Sequence, residues 1–141
     1  MKLFISLLLF TFSLCLSAQT ENLVGHYQMK FKASNGLILY ELNLNPNGTF
    51  EFHSYRFLEE TLSKEENLYA KGAWRSDNKL IYFSTDSDDF DDIHTLDFNN
   101  TKARHIAKSP RDKSNRDIKT SIQIYESGIS WLKRNTFIKV D

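Results

Sequence analysis

Cysteine is almost absent from this chain of 141 residues, which contains a single one, Cys15. The fold therefore does not depend on disulfides, and this excludes the small disulfide-stapled scaffolds that are common among secreted proteins. An excess of basic charge is lacking too, because 18 Lys and Arg residues are balanced by 18 Asp and Glu residues. Nucleic-acid-binding proteins carry a basic patch that neutralises phosphates, so we expect no nucleic-acid partner.

Known catalytic and cofactor motifs are also missing. No Gly-x-Ser-x-Gly turn presents a nucleophile, and no two acidic residues are placed toward one cleft by strand parity. The four histidines, His26, His53, His94 and His105, have none of the close spacings that zinc sites use. We predict that the protein is not an enzyme and has no cofactor.

The N-terminal segment 1–18 has the layout of a secretory signal peptide. Lys2 is followed by an apolar run from Leu3 to Leu16 and then by the small residues Ser17 and Ala18. The run is shorter than the roughly 20 residues that a transmembrane helix needs. Cleavage after Ala18 predicts a protein exported to the periplasm or beyond, in which residues 19–141 form a single domain with no transmembrane span.

Removal of this segment also removes Cys15 and Lys2, so the remaining chain is slightly acidic. A lipid anchor at Cys15 is disfavoured, because lipidation motifs place a small residue before the cysteine and Leu14 is large. We therefore expect a protein that is not a lipoprotein.

A hydrophobic period of two runs through most of residues 19–141 and predicts β-strands. Leu23, Gly25, Tyr27, Met29 and Phe31 share one face of the first strand, and polar residues alternate with them. In the next strand, which starts at Gly36, one face carries Ile38, Tyr40, Leu42 and Leu44. The sequence Asn45-Pro46-Asn47-Gly48 is typical of a hairpin turn, and the returning strand places Phe50 and Phe52 on one face.

Further short strands are predicted along the rest of the chain, whereas the segment 58–66 fits either a short helix or a long loop. These strands cover 68–74, 80–83, 93–98, 103–108, 118–125, 129–132 and 136–140. Short connections between about 8–10 strands predict an all-β fold, an antiparallel up-and-down meander that closes into a barrel and so removes its exposed edges.

Three short motifs resemble the small secreted lipocalin-like proteins of bacteria, which are calycin-type β-barrels. They are Gly25-His26-Tyr27, the hairpin from Leu44 to Phe50, and Gly72-Ala73-Trp74. The resemblance covers roughly residues 23 to 83 and implies an up-and-down barrel or a strongly curved sheet. Tyr27 stands where lipocalins usually have a first-strand Trp, and their cysteines are missing, so the resemblance does not imply a deep ligand cup.

Two functions follow from such a barrel. In the first, it is an exported binding module for a small apolar or amphipathic ligand. The pocket candidates are Tyr27, Met29, Phe31, Tyr40, Leu42, Phe50, Phe52, His94, Ile122 and Ile124. In the alternative, the same residues fill the core and the protein is a structural or protein-interaction domain of the cell envelope. A weaker hypothesis is a hydrolase or isomerase that uses His94, expected to point inward, with a nearby carboxylate.

Two charged segments allow further hypotheses. The acidic residues Asp86, Asp88, Asp89, Asp91 and Asp92 are weak candidates for a divalent metal site, although the spacing does not fit an EF-hand and a solvated turn is the simpler interpretation. The basic segment from Ser109 to Asp117 could bind phosphate, a sulfated glycan or a lipid head group, but its interspersed Asp residues favour a soluble loop.

Overall fold

The computed structural model describes residues 22–140, and the predicted signal segment 1–18 lies outside them. Eight antiparallel strands form a closed barrel in which each strand pairs with the next along the chain and β8 pairs with β1. This confirms the predicted all-β, up-and-down barrel. The strands are β1 (Gly25–Ala33), β2 (Gly36–Leu44), β3 (Thr49–Leu58), β4 (Glu65–Asp77), β5 (Leu80–Ser84), β6 (Lys102–Ile106), β7 (Ser121–Glu126) and β8 (Thr136–Lys139).

The β2–β3 hairpin forms at the predicted turn. Gly48 adopts a φ of 80°, which an L side chain rarely tolerates, and its N–H donates to the Asn45 carbonyl at 3.1 Å. The Asn47 side chain accepts hydrogen bonds from the backbone and hydroxyl of Thr49 at 3.1 and 2.6 Å. The turn aligns Leu42 with Phe52, so that both side chains enter the barrel.

Barrel closure depends on a short seam between β1 and β8. Only Tyr27 and Gln28 of β1 pair with β8, opposite Lys139 and Ile138. The Lys139 ammonium group also donates to the Val24 carbonyl at 2.9 Å. Within the part of the chain that the structure describes, the rest of β1 has no strand on this edge, so β1 to β4 extend beyond the closed barrel.

Side-chain hydrogen bonds to the backbone shape the connection between β5 and β6. It contains a 3-10 turn at Ser87–Asp89. The Asp91 carboxylate accepts the N–H groups of Ile93 and His94 at 2.9 and 2.7 Å, and the Asp97 carboxylate accepts that of Asn99 at 2.8 Å. The predicted strand over 93–98 is therefore wrong, because these turns take the donors that a strand would use; only a bridge between His94 and Tyr69 forms.

The predicted strand over 129–132 is also wrong. The Ser127 hydroxyl accepts the Ile129 N–H at 3.1 Å, and the Leu132 N–H closes a turn onto the Ile129 carbonyl at the same distance. At the segment 58–66, the structure has a loop between β3 and β4, closed by a hydrogen bond from the Leu58 N–H to the Lys64 carbonyl. No helix among residues 22–140 is long and apolar enough to cross a membrane.

Candidate functional site

Most of the predicted pocket residues meet inside the barrel. Those with at most 3% of their surface exposed are Tyr27, Tyr40, Leu42, Phe50, Phe52, Ile122 and Ile124. Met29 is partly buried and packs against this cluster. The sequence pattern of alternating apolar residues thus brings together a core drawn from β1, β2, β3 and β7.

Aromatic rings occupy the middle of this interior. The Phe52 ring centroid lies 5.0 Å from that of Phe98, 6.0 Å from Tyr40 and 6.3 Å from Phe137. Trp131, which sequence reasoning did not single out, lies 5.2 Å from Tyr40. These separations are typical of rings in direct contact. Phe98 and Trp131 come from loops, and the sequence signal for them is an aromatic residue close to another apolar residue, Leu96 or Leu132.

Two of the predicted pocket residues, Phe31 and His94, do not lie inside the barrel. Phe31 is 60% exposed because it belongs to the part of β1 that continues past the seam with β8. His94 was expected to point inward, but it lies outside the barrel, where its ring meets the edge of Tyr69 at 6.2 Å. The turn formed by Asp91 reverses the direction that strand parity had predicted for His94.

Polar side chains on the outer surface of β2 to β4, together with His94 from the β5–β6 connection, form a surface that we call the acidic face: Glu41, Glu51, His53, Tyr69 and His94. The Nδ1 atom of His53 lies 3.4 Å from a carboxylate oxygen of Glu41. The His53 ring stacks on the Tyr69 ring, with 4.5 Å between their centroids and an interplanar angle of 3°. The five residues line a cleft of about 230 Å³ that contains two carboxylates and no Lys or Arg. The alternation of residues in β3 predicts that His53 lies on the polar side of that strand. It does not predict the cleft, because the other residues of the cleft come from neighbouring strands.

The carboxylate of Asp91 is fully engaged beside this face. It accepts a hydrogen bond from the Lys71 ammonium group at 2.8 Å and lies 2.9 Å from the His94 ring nitrogen. Lys71 and the N–H groups of His94 and Ile93 hold the pKa of Asp91 well below its usual range. No three His, Asp or Glu side chains converge as a metal site among residues 22–140, including the candidates Asp86, Asp88, Asp89, Asp91 and Asp92.

A second cleft, of about 500 Å³, opens on the outer surface where β5 and β6 meet. We call it the basic groove; its residues used below are Arg75, Tyr82, Ser84, Asn100 and Lys102. The guanidinium carbon of Arg75 lies 4.1 Å from the centre of the Tyr82 ring. The groove is lined by two cations and no carboxylate. Its charge is opposite to that of the acidic face.

A third cleft, of about 580 Å³, lies at the end of the barrel where the described chain begins. Leu23, Asp77, Lys79 and His105 are among its lining residues. The Nε2 atom of His105 is buried and has no hydrogen-bond partner among residues 22–140. Burial, together with the charges of Lys139 and Lys79, lowers the pKa of His105 and favours its neutral form.

The basic segment from Ser109 to Asp117 forms an exposed loop outside these clefts. Arg116 pairs with Asp112 at 3.2 Å, and the pKa of Asp112 is lowered chiefly by its hydrogen bonds with Ser114. The loop thus neutralises part of its own charge.

Comparison with known proteins adds no relative. The chain matches no family model, no curated protein and no solved structure. The lipocalin resemblance therefore stays a prediction that depends on three short motifs, and the functional argument must come from the barrel itself.

Proposed function

We propose that this protein is an exported protein-interaction domain of the cell envelope, which binds its partner through the outside of a barrel with a filled core. The packing of the buried Phe52 ring against four other aromatic rings, within 6.4 Å between centroids, is the observation that carries this proposal. A ligand in the barrel would have to displace these rings, and removing a large aromatic side chain from a core costs about 3–5 kcal/mol.

The acidic face is the proposed contact surface. Glu41 and Glu51 supply negative charge, and the stacked His53 and Tyr69 rings supply a flat, preformed area next to them. Side chains already held by neighbours lose little entropy on binding. The chemistry suits a partner that presents Lys or Arg next to an apolar or aromatic group.

Chemical cross-linking in the native host, followed by recovery of the protein, tests this surface. The double variant Glu41→Gln/Glu51→Gln should lose the partner that the unchanged protein recovers, because the charge of the cleft is removed with little change in shape. Glu126→Gln is the matched control, since Glu126 is on the opposite side and pairs with Lys102. Equal recovery by both variants contradicts the proposed surface.

The competing function is that of a carrier for a small apolar ligand. Native mass spectrometry of the protein purified from its host distinguishes the carrier from the filled-core protein. We expect the mass of the polypeptide alone. A lipid or other apolar molecule bound in stoichiometric amount would overturn the filled-core proposal in favour of the carrier.

Export is the part of the proposal that depends on the segment 1–18. The intact mass of the protein recovered from the host should correspond to a chain that starts at Gln19. A mass that includes Met1–Ala18 or an acyl group on Cys15 would contradict it.

A further inference from the structure

The basic groove exists because the pairing of β5 and β6 is short. Only Leu80, Ile81 and Tyr82 pair with β6. Toward the groove the Phe83 N–H donates to the Thr101 carbonyl, and beyond it the Asn99 side chain bonds to the backbone of Thr85. Asn100 turns the chain away with a φ of 61°, and the Thr101 N–H closes this turn onto the Phe98 carbonyl at 3.0 Å. A recess remains between β4, β5 and this turn, and its lining combines polar side chains with Ala73, Trp74 and Phe83.

Arg75 is held in this groove but is not neutralised. Its guanidinium group lies over the Tyr82 ring, which fixes the plane of the group and leaves its N–H edge free. Arg75 makes no ion pair with any residue of the described range 22–140. A guanidinium edge with this freedom is suited to a bidentate contact with a carboxylate or phosphate.

Further hydrogen-bond donors line the same groove. Lys102 uses one of its three N–H donors on Glu126 at 3.1 Å, and Glu126 does not line the groove. Asn100 is exposed, and its side-chain amide makes no hydrogen bond within residues 22–140. The Ser84 hydroxyl adds a neutral donor. Two cations and several neutral donors, with no competing carboxylate, thus surround one recess.

We propose that the basic groove binds a small organic anion: a carboxylate or phosphate carried on a polar scaffold of about the size of a sugar. The oxyanion binds Arg75 and Lys102, and the hydroxyl groups of the scaffold bind Asn100 and Ser84. A volume of about 500 Å³ lies within the usual size of small-molecule sites. This site does not depend on the proposed protein partner, because no residue that lines the groove also lines the acidic face.

Three sugars of nearly equal shape test the proposal with the full-length mature protein: glucuronate, glucose 6-phosphate and uncharged glucose. Titration followed by amide NMR should show binding of at least one of the two anions, with shifts at Ser84, Asn100 and Lys102, and no binding of glucose. The anion that binds identifies the charged group. Raising the salt concentration should weaken binding several-fold, because the groove is open to solvent.

Arg75→Gln should weaken binding by about tenfold or more, since it removes the charge and the bidentate contact. Arg104→Gln is the matched control: Arg104 also lies over a tyrosine, Tyr125 at 5.9 Å, but does not line the groove. Both variants should unfold at the temperature of the unchanged protein to within a few degrees. The proposal is overturned if neither anion binds at millimolar concentration, if glucose binds as well, or if the two variants weaken binding equally.

Discussion

The two halves of the barrel are built differently. In the first half, β1 to β4 contain 9, 9, 10 and 13 residues, whereas β5 to β8 contain 5, 5, 6 and 4. The first half is held by long backbone ladders. In the second half, the ladder is shorter, and side chains also bond to the backbone: the Asp97 carboxylate accepts from the Asn99 N–H, and the Asn99 amide donates to the Thr85 carbonyl.

This difference decides where ligands can reach the molecule. The regular half presents most of the acidic face, namely the side chains on β2 to β4 whose spacing is set by strand pairing. The irregular half opens the basic groove, because a ladder that ends early leaves polar groups without strand partners. The two surfaces thus suit a broad protein contact and a small molecule, respectively.

The largest expected effect tests whether one core unites both halves. Phe52→Ala should lower the free energy of unfolding by about 4 kcal/mol, because its ring contacts Tyr40 from the first half and Phe137 from the second. Urea unfolding should remain a single transition. Phe31→Ala, at a position that is 60% exposed, should change stability by less than ~0.5 kcal/mol. Two separate transitions would show that the halves are independent.

A substitution at Gly72 tests how closely β4, the last strand of the first half, approaches β5, the first strand of the second half. A Cβ atom there would lie 2.2 Å from the Ser84 carbonyl oxygen in β5, a distance that requires the backbone to move. Gly72→Ala should destabilise the protein by about 2–3 kcal/mol. Gly128→Ala is the control, since an added Cβ meets nothing within 4 Å. Equal thermal stability of the two variants would contradict the close packing of β4 on β5.

The side-chain hydrogen bonds of the second half are tested at Thr85, which is 5% exposed and donates to the Asp97 carboxylate at 2.7 Å. Thr85→Val should cost about 1 kcal/mol in urea unfolding. Thr95→Val, at an exposed position whose hydroxyl makes no hydrogen bond within residues 22–140, should have little effect. Equal changes for the two variants would mean that these bonds do not stabilise the loop.

The smallest effect is a pH dependence at His105. Because the pKa of His105 is lowered in the folded state, the unfolded chain takes up the proton first, and stability falls as pH drops below about 6.5 toward the folded pKa. His105→Gln should reduce this fall in denaturant titrations between pH 8 and 5. Lys79→Gln should reduce it partly, because Lys79 contributes to the shift. An identical fall in all three proteins would exclude His105 as the cause.

Sequence reasoning succeeds where structure depends on local alternation and fails where it depends on side-chain hydrogen bonds. The period of two and the Asn45–Gly48 turn predicted the β2–β3 hairpin and the apolar faces that carry Leu42 and Phe52, and the structure pairs these two buried residues. Over 93–98 the same alternation predicted a strand. In the structure, carboxylates instead of a neighbouring strand accept hydrogen bonds from backbone N–H groups in this region. Whether a carboxylate or a neighbouring strand accepts these N–H groups depends on the side-chain rotamer and on the position of that strand. The hydrophobic period of the sequence predicts neither.

The candidate sites were less predictable than the fold. Parity places His53 outside but does not indicate that Tyr69 stacks on it, because their alignment follows from the register between β3 and β4. Arg75 and Lys102 are 27 positions apart in the sequence and meet only because β5 lies between their strands. No single-segment motif could reveal that groove.

The seam between β1 and β8 has a consequence for how the chain folds. The residues that close it, such as Val24 and Lys139, are separated by 115 positions, nearly the whole described chain. Closure must therefore follow synthesis of the last strand, and contacts between distant residues make folding slow. Beyond this seam β1 has an unpaired edge on which Lys30 and Lys32 lie, and charged lysines on such an edge discourage pairing with another chain. The lysines thus protect this edge both before and after the barrel closes.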